Sequence, residues 1–115
     1  MTQHKVFHAN VFAHPFACTW EEAAEALQRL PRMLFELDGS FVVSGEVGPT
    51  RWQVDGHLFD FEDRLYRIEL HGHCPMTALD GLLGCVGWPE VALEFEMVRE
   101  GVTLDEKAFR QSLWG

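Results

Sequence analysis

Two tight-turn signals, Asp38-Gly39 and Glu62-Asp63, lie inside a stretch of aromatic and β-branched residues from Met33 to Gly72. They commit this part of the chain to consecutive antiparallel strands. Asp38-Gly39 tolerates positive φ at both central positions, as a two-residue hairpin turn requires. Met33 to Leu37 and Ser40 to Ser44 read as the strands of that hairpin. Gly45 to Thr50 holds two glycines and a proline and reads as a loop. Arg51 to Phe61 and Arg64 to Gly72 read as a second hairpin.

Side-chain parity makes the second hairpin informative. An unbroken ladder from the Glu62-Asp63 turn sets Phe61 opposite Arg64, Phe59 opposite Tyr66 and His57 opposite Ile68. Continued, it puts Trp52 and Val54 on the wrong face. One extra residue at Asp55-Gly56 repairs this, and glycine permits the backbone that such a β-bulge needs. The expected apolar face is then Trp52, Val54, Phe59, Phe61, Tyr66, Ile68 and Leu70.

The helices are marked by caps and spacing. Thr19-Trp20-Glu21-Glu22 is a capping box, and Trp20, Ala23, Ala24, Leu27 and Leu30 follow at helical spacing up to Pro31. Thr77 is positioned to cap a short helix from Ala78 to Val86. Thr103 to Glu106 forms a second capping box before a terminal helix with Phe109, Leu113 and Trp114. Lys5 to His14 and Glu90 to Val98 read as strands. The order is β-α-β-β-β-β-α-β-α. It predicts an α+β fold: a mainly antiparallel sheet of five to six strands with two to three helices covering one face.

A chain of 115 residues suits one domain, spanning 1–115. Folding at this length buries about two-thirds of the exposed chain surface, enough for a core without staples. Lys and Arg total 9 against 18 Asp and Glu, a net charge of −9. That field disfavours nucleic acid and anionic lipid and favours a basic protein partner or a cation. His4, Lys5, His8 and Asn10 interrupt any apolar run at the start, so no signal-peptide pattern is read. No run approaches the roughly 18 apolar residues of a membrane span. Three cysteines, Cys18, Cys74 and Cys85, cannot all pair within one chain, which points to a reducing cytoplasm.

The densest chemistry is His71-Gly72-His73-Cys74-Pro75. Residues two apart on a strand point the same way, about 7 Å apart at Cα. His71 and His73 could thus share zinc or another transition metal, with Cys74 joining if the chain turns at Pro75. His8 or His14 could complete such a set, while parity puts His57 on the other face. Cys74 near a helix start is also the candidate thiol nucleophile, with a neighbouring histidine as base. Glu94 and Glu96 share one strand face, and Trp114 near the chain end offers an aromatic contact. Phosphate loops, Cys-x-x-Cys pairs and hydrolase signatures are not found.

Three readings follow, in order. The first is a non-catalytic protein-binding or regulatory module without cofactor. It would use Glu94, Glu96 and Trp114 toward a basic protein or a second copy of itself. The second is a metal-binding protein using His71, His73 and Cys74. The third is a small enzyme with a Cys/His site.

Overall fold

The computed structural model describes residues 5–115; His4 lies outside them. Seven strands form one sheet with every neighbouring pair antiparallel, in the order β2-β3-β4-β5-β1-β6-β7. The strands are β1 (Phe7–Phe12), β2 (Met33–Phe35), β3 (Ser40–Val47), β4 (Thr50–Phe61), β5 (Arg64–His73), β6 (Glu94–Met97) and β7 (Val102–Asp105). Helices α1 (Trp20–Gln28), α2 (Met76–Gly84) and α3 (Glu106–Trp114) complete the fold. The architecture is α+β, with more strands than the five to six expected.

The additions have local causes. Gly45 to Thr50 is not an open loop: Val47 pairs with Thr50 across a tight turn, which lengthens β3 and β4. Thr103 is not a helix cap. It pairs with Glu96 in the extra strand β7, and Asp105 caps α3 instead, accepting from the Ala108 amide at 2.8 Å. The preceding Glu90–Leu93 segment stays outside β6. The first capping box stands as read: Thr19 Oγ1 accepts from the Glu22 amide at 3.0 Å, and Glu22 accepts from the Thr19 amide at 2.9 Å. At Asp38-Gly39 the Asp38 carboxylate accepts from both the amide and the hydroxyl of Ser40, which lowers its pKa.

The bulge exists, but at the other end of the hairpin. Residues 53–59 pair with 67–73 without interruption, and the register slips where Phe59 faces Arg67 but Asp60 faces Leu65. Tyr66 is the extra residue. The slip turns Leu65 inward beside Ile68 and Leu70, and Val54 and Leu58 face the same side. Phe59, Phe61 and Tyr66 are therefore not on the core face, contrary to the aromatic-ring parity argument. Leucines fill those places, while Phe61 and Tyr66 remain 63% and 52% exposed. Gly56 serves a different end. It faces Phe41 across the ladder, and a Cβ there would drive into the Phe41 ring. Glycine lets that ring lie flat on the sheet.

The buried side chains of strands β1, β3, β4 and β5 lie on the helix-covered side, and no polar or charged residue among those described is buried. Phe7, Ala9 and Val11 of β1 meet Leu27, Leu79, Leu83 and Phe109 in one core. Phe109 stacks on Phe95 at 4.0 Å and meets Phe7 edge-on at 5.4 Å. Trp20 ties α1 to the sheet by donating to the Leu58 carbonyl at 3.2 Å. Each buried Leu or Phe contributes roughly 1.5–3 kcal/mol relative to exposure. The opposite face carries no helix.

Candidate functional site

The helix-free face is where the titratable side chains collect. Strand alternation sends His8, Asn10 and Phe12 of β1 outward, because Phe7, Ala9 and Val11 point into the core. Register then aligns rows across the strands. Asp55, His71 and His8 form one row over β4, β5 and β1. His57, Glu69, Asn10, Glu96 and Thr103 form the next, over β4, β5, β1, β6 and β7. His57 thus shares the face of His71 and His73, because the ladder between them has no inserted residue; the parity expectation had it opposite.

Hydrogen bonds link these rows. His8 Nε2 lies 2.7 Å from Glu69 Oε2. Arg67 donates to Asn10 Oδ1 at 2.7 Å, and Asn10 Nδ2 donates to Glu96 at 2.9 Å. The Arg67 guanidinium sits 3.7 Å above the Phe59 ring, whose neighbour His57 stacks on it at 4.3 Å. One connected network therefore runs from β4 to β6. It fixes the arginine through a ring face and an amide oxygen rather than a carboxylate.

An aromatic cluster continues the face toward the Glu62-Asp63 turn. Phe12 and Tyr66 meet edge-on at 5.9 Å, with Phe61 at 6.1 Å from Tyr66. A depression of about 330 Å³ opens beside them, bounded by Pro15, Phe16 and Arg64. His14 Nε2 lies 3.3 Å from Glu94 Oε1 near the start of β6. The bulge creates this cluster, since the extra residue Tyr66 is the one brought against Phe12.

The residues singled out from the sequence separate. His71 is exposed on the outer face and its ring stacks on His8 at 4.7 Å. His73 follows on β5 opposite Gln53. Cys74 does not join them: the chain enters α2 at that point, and the thiol is buried at 1% exposure in the core on the opposite side. Burial pushes its pKa up to about 12, so at neutral pH it is a protonated thiol and a poor nucleophile. Stacked imidazoles present faces to one another rather than nitrogens to a common point. Among the described residues, no three or more His, Cys, Asp or Glu side chains form a group placed to hold a metal ion. Glu94 and Glu96 are exposed at the β6 end of the outer face, while Trp114 is half-buried against the core.

Sequence reasoning missed Arg67, Asn10 and the Phe59 platform. The spacing of Leu58, Leu65, Ile68 and Leu70 supports an aliphatic inner face with the slip near Tyr66, which turns Phe59 and Arg67 outward, but nothing local brings Asn10 to them. The chain matches no protein-family model, no curated protein and no solved structure. Its function therefore has to be argued from the face itself. No helix among the described residues is long and apolar enough to cross a membrane.

Proposed function

We propose that this chain is a non-catalytic protein-binding module of the cytoplasm whose docking surface is the uncovered sheet face. The partner is a protein segment presenting Lys or Arg beside apolar side chains. The observation that carries this reading is the pairing of bare aromatic surface with acidic rim. Phe61 and Tyr66 are more than half exposed, and the acids toward this end of the face are Glu62, Asp63, Glu94 and Glu96. Arg67 is already engaged by Phe59 and Asn10, which leaves Arg64 as the facing cation beside the cluster. Exposed aromatics supply contact area, and the rim charges steer a cationic partner and set its orientation. Three free cysteines suit a reducing compartment.

Selection of displayed peptides against the purified chain tests the reading. Selected sequences should combine basic and apolar residues, and their affinity should fall at least tenfold for Phe61→Ser combined with Glu94→Lys. Acidic selected peptides, or full binding by the double variant, would refute it. If the face is occupied by a second copy, sedimentation will show a dimer that Phe61→Ser dissolves.

A further inference from the structure

A second concavity lies on the other side of the sheet, where the end of α1, the start of α2 and the β3–β4 hairpin leave a gap. Its volume is about 530 Å³, and its apolar walls come from Leu30, Val43, Trp52, Ala78, Gly81 and Leu82. Trp52 faces Gly45 across the β3–β4 ladder, and a Cβ on Gly45 would collide with the indole. Glycine thus lets the ring lie against the strand as a flat wall. At the rim Arg32 and Glu46 face each other at 3.4 Å. The first turn of α2 also borders the space, and its N-cap Pro75 provides no side-chain acceptor for the leading amides.

We infer that this cavity binds an uncharged, flat apolar small molecule laid against the Trp52 indole. The volume falls within the range of small-molecule sites, roughly 300–1,000 Å³, and the apolar lining with few polar groups matches their composition. The charge of the ligand follows from the rim. Arg32 and Glu46 offset one another, so the mouth offers no net charge, and the chain's −9 field disfavours an anion. Ala78 and Leu79 already donate to the Pro75 carbonyl at 3.0 and 3.2 Å, so the Thr77 amide at the cavity edge is the α2 donor for a carbonyl or hydroxyl on the ligand. The site is independent of the sheet face proposed above, which lies on the opposite side of the sheet.

Titration of the full chain with the neutral probe N-phenyl-1-naphthylamine tests the inference. Probe emission should rise and saturate at one molecule per chain, with quenching of tryptophan fluorescence that disappears in Trp52→Phe. Ala78→Leu fills the cavity from α2 and should weaken binding at least tenfold without lowering the melting temperature. Gly81→Met should do the same, since a Cβ at Gly81 meets only Leu30, at 3.7 Å. If either variant fails to fold, magnetisation transfer between the probe and the Trp52 indole in the unaltered chain decides the matter. Lack of saturation, unchanged affinity in both folded variants, or no transfer to Trp52 would overturn the site. Equal affinity for the anionic probe 1-anilinonaphthalene-8-sulfonate would overturn the assignment of an uncharged ligand. A dimer dissolved by Ala78→Leu would overturn it in favour of a side chain from a second copy.

Discussion

The two faces of the sheet are made by the same strands and differ in almost every other respect. The inner face is aliphatic and aromatic, covered by three helices, with no buried polar or charged residue among those described. The outer face is held by directed contacts: a histidine on a carboxylate, an arginine between a ring and an amide, and an asparagine bridging to Glu96. Burial is non-directional and contributes most of the stability. The outer contacts sit in or near water, where each contributes little net free energy. The inner face therefore determines whether the chain folds, and the outer face is free to vary with what it binds.

Substitutions on each face can break or sharpen this contrast. Phe109→Ala empties the slot between Phe7 and Phe95 and should cost about 3–5 kcal/mol, measured by denaturant unfolding. A cost as small as that of an outer-face change would collapse the distinction. Gly56→Ala should cost about 1–3 kcal/mol, because the new methyl displaces the Phe41 ring. If the same change is neutral, that ring is not seated as described. A third effect appears with pH. The folded state holds the Cys74 proton up to about 12, whereas an exposed thiol releases it near 9. The unfolded chain therefore binds fewer protons in that window, and stability falls as pH rises through it, at about 1.4 kcal/mol per unit from this group. Cys74→Ala should flatten that slope in a pH series of unfolding curves, and an unchanged slope would put the thiol in contact with water. Smallest of all, Phe61→Ser should shift stability by no more than about 0.5 kcal/mol. A larger loss would mean that the aromatic cluster belongs to the core.

Elements with caps or turn chemistry were legible in the sequence. The α1 capping box, a turn at Asp38-Gly39 and the buried leucines of α2 could be read because local hydrogen bonds and spacing determine them, although the turn takes three residues, Leu37 to Gly39, with positive φ at Gly39 and not at Asp38. The bulge was legible as a need but not as a place. Grouping the rings gave one solution for the second hairpin and grouping the leucines gave another, and only packing against α1 and α2 decides between them. The His71 to Cys74 corner failed for a related reason. Alternation holds along β5 from Arg67 onward, so a neighbour in sequence becomes an opposite in space, and Cys74 goes to the core. The Arg67 network could not be seen at all, because it joins β4, β5, β1 and β6, and the position of β1 between β5 and β6 leaves no local trace.

That central position of β1 also governs how the chain is made. Strands β2 to β5 are each paired to the next in line and can zip together during synthesis. The first strand cannot: its contacts to Glu69 and Glu96 span 61 and 86 positions. It is synthesised well before either neighbour and stays incompletely paired until both have followed. Nascent chains stopped short of Glu94 carry β1 as a raw border open to passing strands, so the last hairpin and α3 act as the closure that keeps newly made molecules apart.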